Sequence, residues 1–287
     1  MTNATDLINL GDRVSPVQAP PVVIAMVVHQ PCPWLDEVLT SLAAQDYPNL
    51  QTLFFVTGTA SSPTAENDII RHALPAAVIR QVEGNPGFGP LMNEVGRLVE
   101  GESGFFCFMH DDVALESNAI STMIEEMFRS NAGVVGPKFV MWDDITVLQS
   151  VGLGADRIGD INSIVEQGEK DQEQHDAVRD VFLLPSACML VRADLFREIG
   201  GFSPDIPLFG EDLDFCWRTH LSGARVLVVP AARARHRKEM SVSRSVSTMS
   251  ALEARHRVRT VATLSSRIQL PLVLVQLIVM AIARVVI

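Results

Sequence analysis

Two adjacent carboxylates follow one of the most apolar segments of the chain. Asp111 and Asp112 come directly after residues 104–110, which read GFFCFMH. Such a run is typical of a strand buried on both faces, and α/β proteins bind ligands at the carboxyl edge of their sheet. A hard cation that bridges two phosphates needs one or two carboxylates, with water and substrate as its other ligands. The pair therefore fits a cation site, with an ordinary solvated turn as the alternative.

A second acidic cluster opens a helix further along the chain. Residues 210–218 read GEDLDFCWR and place Glu211, Asp212 and Asp214 within four positions. Carboxylates in a first helical turn are stabilised by the helix dipole, which accounts for one or two of them without a function. The cluster also suits a general base, which must lie within about 3 Å of the hydroxyl that it deprotonates.

A basic segment follows the last predicted strand. Residues 231–238 read AARARHRK, and His236 within them could bind a metal. The cations of this segment could neutralise phosphate or contact an anionic lipid, with a solvated surface strip as the alternative. They are Arg233, Arg235, Arg237 and Lys238. Residues 84–93, GNPGFGPLMN, are rich in glycine but have neither the dinucleotide-binding nor the P-loop spacing, so alone they predict a turn into a helix.

Strands and helices alternate around these clusters. Apolar runs predict strands at 21–29, 51–57, 77–82, 104–110, 133–141 and 224–230. Apolar residues at helical spacing predict helices at 34–45, 88–99, 117–129 and 211–221. Residues 142–180 are polar and weakly periodic. The alternation predicts an α/β fold with a mostly parallel central sheet flanked by helices.

Composition limits the classes of protein that fit. The 287 residues are 47% hydrophobic, as in a globular protein, and the net charge of −11 argues against a nucleic-acid partner. The charge is uneven, because residues 233–267 hold nine Lys or Arg against two acids. The four cysteines form no CxxC pair, which favours neither zinc nor a disulfide framework and indicates a reducing compartment. No signal peptide is expected at the N-terminus.

The C-terminal segment is different. Residues 268–283 are almost wholly apolar. The length of this segment is close to that of a spanning helix, which needs about 20 residues. The arginines upstream would face the cytoplasm under the positive-inside rule. We therefore expect membrane association through 268–287, which would also fit the start of a truncated transmembrane region. An amphipathic helix that packs on the body or on another subunit of an oligomer is the alternative.

Taken in order, these segments resemble glycosyltransferase family 2, inverting enzymes of the GT-A fold. Residues 39–49, LTSLAAQDYPN, match the family pattern LxSLxxQxYPN, and residues 85–93 match an NxGfg…N stretch. The triplet His110–Asp112 stands where the family has a DxD-type motif. Residues 200–218 match the family's GGF…EDxDlcxR run, and a His follows the final strand. The resemblance covers about 21–245.

The resemblance implies roles for these residues. Asp112 and His236 would bind Mn²⁺ or Mg²⁺, Asp212 would deprotonate the acceptor hydroxyl, and Glu211 would orient the acceptor or the base. The nucleotide-sugar donor site would be lined by His29, Thr57, Asn85, Gly87, Asn93, His110 and Asp111. The first strand ends in Val28-His29-Gln30, the second at Thr57 without the family's acidic residue, and the DxD motif begins with His110. Nucleobase identity and ribose recognition therefore stay open.

The sequence therefore predicts a metal-dependent inverting glycosyltransferase that moves a sugar from a nucleotide-diphosphate donor to a hydroxyl of a glycan or lipid-linked acceptor. Its expected place is cell-envelope polysaccharide synthesis on the cytoplasmic face of the plasma membrane. The predicted parts are a flexible tail (1–20), a GT-A domain (21–240), a basic juxtamembrane helical segment (241–267) and the apolar segment (268–287). The alternative is a non-catalytic sugar-nucleotide-binding module that regulates or scaffolds a membrane assembly. Nucleotidyltransferases and NAD-binding proteins are disfavoured because their glycine-rich loops are missing.

Overall fold

The structure is a computed structural model that describes residues 19–29, 32–58, 63–99, 104–238 and 246–286. The predicted tail, 1–20, therefore lies outside the described residues except for its last two positions. Residues 239–245 also lie outside them, and 241–245 of these are the start of the predicted basic segment.

The first half of the chain alternates strictly between strand and helix. Its elements are β1 (Val22–Val28), α1 (Leu35–Ala43), β2 (Leu50–Gly58), α2 (Pro63–Ala73), β3 (Val78–Glu83), α3 (Phe88–Leu98) and β4 (Phe105–His110).

The second half adds short strands and the C-terminal helices. Its elements are β5 (Val113–Leu115), α4 (Ala119–Ser130), β6 (Val134–Met141), β7 (Leu148–Ser150), β8 (Leu153–Ala155), β9 (Ile161–Ser163), β10 (Arg179–Asp180), β11 (Cys188–Arg192), α5 (Ala193–Glu198), α6 (Glu211–Leu221), β12 (Val226–His236), α7 (Val246–Leu264) and α8 (Leu270–Val286).

The main sheet runs in the order β10-β12-β6-β11-β4-β1-β2-β3, with β5 beside β12 and β7 beside β6. Among the described strands, four of the seven neighbouring pairs on this path are parallel, as predicted for a mostly parallel sheet. The sheet is nevertheless mixed, because β11 runs antiparallel to both β4 and β6 and the short side strands are antiparallel as well. The α/β fold with a flanked central sheet is confirmed.

Two apolar layers hold the helices against the two faces of the sheet. Side chains alternate along a strand, so β4 sends Cys107 to the layer that contains α1 and α4, and Phe108 to the layer that contains α3, α5 and α6. Both residues are fully buried, which is why this strand reads as one continuous apolar run.

The register brings the polar strand ends to one edge of the sheet. His110 lies opposite Val27 of β1, and Val56 of β2 lies opposite Val28, so the residues that follow these strands are neighbours. Strand β12 runs parallel to β6 and ends at the same edge with His236. The polar clusters that lie far apart in the sequence therefore meet at the carboxyl ends of the strands, as α/β sheets favour.

Strand β12 corrects one prediction. The sequence predicts a last strand that ends at Pro230 and a His236 in the loop beyond it, whereas the strand continues to His236. Pro230 has no N–H for the ladder, and the pairing with β6 shifts register between Val229 and Arg233 before it resumes. His236 is therefore held by a strand.

The C-terminal helices pack on the domain through a small apolar cluster of Ile158, Val261 and Val273. Helix α7, which contains most of the predicted basic segment, packs against α6. In the described part of the chain, no helix is both long and apolar enough to cross a membrane. Helix α8 nevertheless leaves large apolar side chains exposed, among them Leu272, Val275, Ile278 and Ile282.

Candidate active site

Three possible metal ligands meet at the carboxyl edge of the sheet. His110 ends β4, Asp112 lies in the turn after it, and His236 ends β12. The Nε2 atom of His236 lies 3.5 Å from Oδ1 of Asp112, and the Nδ1 atom of His110 lies 3.9 Å from the same oxygen. One ligand atom from each residue lies within 4.8 Å of the others, which is close enough for all three to bind one ion. The structure thus brings together the two predicted ligands and adds His110, which the sequence assigned to the donor site.

A glutamine orients His236. Gln149 of β7 accepts a hydrogen bond on Oε1 from the Nδ1 atom of His236 at 2.8 Å, and its Nε2 donates to the His236 carbonyl at 2.8 Å. With the proton on Nδ1, the lone pair of Nε2 faces Asp112. Metal-binding histidines are commonly fixed in this way through their second nitrogen. Gln149 could not be predicted from the sequence, because it lies in the polar, weakly periodic stretch 142–180.

The chemistry of the three groups fits a divalent cation. Burial lowers the pKa of His110 to about 4, against an opposing effect of Asp112, so its ring is neutral at pH 7 and has a lone pair to offer. Phe88 packs edge-on against the ring, with centroids 4.9 Å apart. Imidazole nitrogen is a poor ligand for Mg²⁺, which prefers oxygen, whereas a mixed nitrogen and carboxylate set suits a transition metal such as Mn²⁺.

The two predicted catalytic carboxylates begin helix α6. Gly210, with φ of 94°, turns the chain into the helix, and the Leu213 N–H donates to Oδ1 of Asp212 at 2.8 Å. Glu211 is buried, and its Oε1 accepts a hydrogen bond from the Ser186 hydroxyl at 2.8 Å. The helix start therefore fixes both carboxylates, Asp212 by backbone N–H groups and Glu211 by a side chain.

The surroundings of these carboxylates favour their protonated forms. Desolvation raises the pKa of Glu211 to about 7, with the charge of Asp212 as the next cause. Desolvation also raises the pKa of Asp212 to about 6, and the charge of Glu253 on α7 adds to the rise. A carboxylate with a pKa near neutrality accepts a proton more readily than an ordinary Asp, which is what a general base requires.

A single cleft joins the possible metal ligands and the carboxylates. It has a volume of about 450 Å³ and is lined by His110, Asp112 and His236, by Glu211 and Asp212, by Lys238 and by one face of α7. Ser186 lies between the two groups, since its hydroxyl donates to Glu211 and lies 3.4 Å from Nε2 of His110. Ser186 carries no sequence motif and was not predicted.

Four predicted donor-site residues form a second group at the ends of β1, β2, β3 and β4. The His29 ring lies 2.9 Å from the Thr57 hydroxyl and 3.4 Å from the Asn85 amide. The backbone N–H of His29 donates to the carboxylate of Asp111, whose pKa is raised to about 7 by burial and by the charge of Asp112. The structure thus brings these side chains together beside Asp112, and donor binding by them stays a prediction.

Two other predicted donor-site residues have structural contacts. A Cβ on Gly87 would lie 2.5 Å from the carbonyl oxygen of Pro207, so this position must be glycine for the two segments to approach. The Asn93 amide donates to the Phe202 carbonyl at 2.9 Å and accepts from the Phe202 N–H at 2.8 Å. Asn93 therefore holds the turn before α6, and donor contact by either residue stays a prediction.

Three of the four cations predicted to contact phosphate or lipid lie in different surroundings. Lys238 lines the cleft beside His236. Arg235 pairs with Glu37 and lies over the ring of Trp142, 5.0 Å from its centroid, and Arg237 lies 4.8 Å over Trp34. Neither arginine is among the residues that line the cleft, because successive side chains of a strand point to opposite faces. Their contact with phosphate or lipid stays a prediction.

The fold has known structural counterparts. The structure of GalNAc-T7 with UDP, GalNAc and Mn²⁺ superposes with a TM-score of 0.62 at 11% identity, covering 76% of this chain and 43% of that one. The Staphylococcus aureus TarS fragment 1–349 superposes with a TM-score of 0.56 at 15% identity, covering 85% of this chain and 72% of that one. At such identities the likeness concerns the fold alone, which is the GT-A fold of glycosyltransferases.

The sequence comparisons identify the family. A family model described as glycosyltransferase-like family 2 matches residues 20–259. The chain belongs to this family. The pre-mycofactocin glycosyltransferase of Mycobacterium tuberculosis is 26% identical over 134 residues, which are 46% of this chain and 26% of that protein. The matched region thus spans about a quarter of the length of this relative.

Proposed function

We propose that the chain is a metal-dependent inverting glycosyltransferase that moves a sugar from a nucleotide-diphosphate donor to a hydroxyl of a glycan or lipid-linked acceptor. The observation that carries the proposal is one cleft with possible metal ligands on one side and a raised-pKa carboxylate, Asp212, on the other. A donor held by its diphosphate at the metal side would present its anomeric carbon to an acceptor at the Asp212 side.

The residues of the cleft divide the reaction between them. Asp212 takes the proton of the acceptor hydroxyl, and the oxygen attacks the anomeric carbon from the face opposite the leaving diphosphate. One C–O bond forms as the other breaks, so the configuration inverts and no covalent enzyme intermediate is needed. Glu211 keeps its position through Ser186 and orients the acceptor or the base.

The metal side of the cleft handles the leaving group. His110, Asp112 and His236 would hold the cation, which when bound offsets the charge that develops on the diphosphate. Lys238 lies beside His236 and adds a positive charge from the protein itself. The GalNAc-T7 structure named above contains UDP and Mn²⁺, which supports the same assignment of donor and ion here.

The donor nucleotide would lie next to the metal side of the cleft, over His29, Thr57, Asn85 and Asp111. The ring of His29 and the amide of Asn85 offer hydrogen bonds to a base or a ribose, where the family more often uses a carboxylate. The contacts of Asn85 and His29 with each other, at 3.4 Å, are long enough to be exchanged for a ligand.

We also propose that the enzyme works at the cytoplasmic face of the plasma membrane in cell-envelope polysaccharide synthesis. The exposed apolar side chains of α8 and the basic residues between 233 and 267 support contact with an anionic lipid surface. The helix would lie in the interface, and a lipid-linked acceptor would then be within reach of the cleft.

The test is a thermal-shift screen of UDP-, GDP- and dTDP-sugars with and without Mn²⁺. One nucleotide class should raise the melting temperature, and only when Mn²⁺ is present. Asp112→Ala and His236→Ala should each abolish the Mn²⁺-dependent part, whereas Asp68→Ala, which removes an exposed carboxylate on α2, should keep it.

Two outcomes would contradict the proposal. If none of the donors raises the melting temperature, the proposed donor site is wrong. If a donor still raises it in EDTA, the proposed metal dependence is wrong. Donor binding without turnover on any acceptor would favour the non-catalytic module instead.

A further inference from the structure

Helix α7 forms a wall of the cleft that faces the base. Ser250, Glu253 and Arg257 line the cleft together with Asp212. They are spaced three and four positions apart, which places them on one face of the helix. The proposed metal and donor sites do not use this wall, since the possible metal ligands lie at the ends of β4 and β12.

Several contacts fix α7 relative to the base. The Nδ1 atom of His256 donates to the carbonyl of Phe209 at 2.6 Å, just before the turn that leads into Asp212. Arg257 pairs with Asp160, and Arg259 pairs with Asp205. These three contacts hold α7 against the domain, and Glu253 lines the same cleft as Asp212.

Arg257 of α7 and Asp160 pair with each other, so their charges offset. Among the described residues that line the cleft beside α7, the carboxylates of Asp212 and Glu253 remain. Glu253 lies near enough to act electrostatically on Asp212. Lys238 lies at the opposite, metal side with His236. An anionic group placed here would be repelled at short range, whereas hydroxyl groups would find acceptors.

We propose that α7 forms the acceptor subsite, and that Glu253 binds a hydroxyl of an uncharged sugar ring whose neighbouring hydroxyl is deprotonated by Asp212. The ionised Glu253 carboxylate accepts hydrogen bonds and donates none, which matches a polyhydroxyl ring. The subsite excludes acceptors that carry phosphate or carboxylate on that ring. This inference rests on the proposed function and adds the chemical class of the acceptor.

The test uses UDP-glucose and UDP-N-acetylglucosamine as donors with Mn²⁺, and measures UDP release. The acceptor probes are the methyl glycosides of glucose, galactose, mannose and N-acetylglucosamine, each compared with its 6-phosphate. We expect at least one neutral glycoside to accelerate UDP release above the rate of donor hydrolysis, and its 6-phosphate to give no acceleration.

Variants of Glu253 separate binding from folding. Glu253→Gln should raise the KM for the neutral glycoside about tenfold or more, the usual value of a hydrogen bond to a charged group, while the KM for the donor stays the same. Glu253→Lys should turn the 6-phosphate into an acceptor, a gain that a misfolded protein cannot show. Glu125→Gln, which removes an exposed carboxylate on α4 outside the cleft, should change neither KM.

The outcomes distinguish this inference from the proposed function. Donor hydrolysis that no neutral glycoside accelerates, an unchanged acceptor KM in Glu253→Gln, or equal use of the 6-phosphate by the wild type would each overturn the acceptor subsite alone. A wild type that neither hydrolyses nor transfers these donors or the corresponding GDP- and dTDP-sugars would contradict the proposed function, and the acceptor subsite with it.

Discussion

At the scale of single residues, the metal side of the cleft depends on how each imidazole is held. His236 uses one ring nitrogen for Gln149 and turns the other toward Asp112. His110 stays neutral because burial lowers its pKa to about 4, so its lone pair competes with no proton at pH 7. The affinity for a metal should therefore depend on Gln149, which orients His236 without being one of the possible ligands.

Gln149→Ala should weaken Mn²⁺ binding roughly 10- to 100-fold, the usual cost of losing the partner that orients a metal-binding histidine. The measurement is Mn²⁺ binding by electron paramagnetic resonance. Gln51→Ala, which removes an exposed glutamine of β2, is the matched control and should bind Mn²⁺ like the wild type. Equal affinity for all three proteins would show that His236 needs no such support.

The base predicts the pH dependence of the reaction. Asp212 must be ionised to accept a proton, and its pKa is raised to about 6, so kcat should rise with pH through about 6 and level off above it. Since the charge of Glu253 contributes to the rise in this pKa, Glu253→Gln should shift the rising part of the kcat profile to lower pH. A rate that is constant down to the usual pKa of an Asp would contradict the role of Asp212.

At the scale of elements, the turn from β3 to α3 meets the loop before α6. Gly84 and Gly87 both have positive φ, 73° and 102°, but only Gly87 is buried against Pro207. The turn at Gly87 therefore packs against the loop at Pro207, which leads to Asp212. The two sides of the cleft are thus joined by one close backbone approach.

Gly87→Ala should lower the free energy of unfolding by about 1 to 3 kcal/mol more than Gly84→Ala does. Both variants have a side chain in a left-handed conformation, which carries the cost of strain, but only the first forces a Cβ to within 2.5 Å of a carbonyl oxygen. Chemical denaturation of the two variants gives the difference directly. Equal destabilisation would mean that the Pro207 segment moves away freely.

The regular elements could be predicted from the sequence, and the irregular ones could not. Six predicted strands and four predicted helices match observed elements within two residues, apart from the carboxyl end of β12. These elements have long apolar runs or a helical period, both of which are local signals. Strands β7 to β10 have two or three residues each and lie in a polar stretch, so nothing local marks them.

The same contrast holds for the site. Asp112, Asp212 and His236 were found because each belongs to a motif, and the structure places all three around one cleft. Gln149 and Ser186 are single polar residues whose role depends on tertiary contacts alone. The position of His110 beside His236 was not predicted, because it depends on the register of β12, which the sequence did not reveal.

At the scale of the whole molecule, charge and apolar surface are both uneven. The net charge is −11, yet residues 233–267 are strongly basic and lead into the exposed apolar side chains of α8. Val273 of the same helix is instead buried against Val261 of α7. Substitution of exposed side chains therefore tests surface binding, whereas substitution of Val273 tests folding.

Replacing Val275, Ile278 and Ile282 together by Ser should abolish sedimentation with vesicles of phosphatidylcholine and phosphatidylglycerol, because the helix would lose the apolar area that inserts at the interface. The melting temperature should not fall. Val273→Ala is the control and should lower the melting temperature while vesicle binding is kept. Unchanged sedimentation of the triple variant would contradict the proposed membrane contact.

The proposed reaction depends on Asp212, the carboxylate that lines the cleft together with the possible metal ligands. Its most direct test is the steady-state turnover of Asp212→Asn with Mn²⁺ and the donor that stabilises the wild type. The rate of transfer should fall roughly 100- to 10,000-fold, as for the loss of a general base, while the donor still raises the melting temperature in a Mn²⁺-dependent way. Turnover equal to that of the wild type would contradict the assignment of Asp212 as the base and the division of the cleft that follows from it.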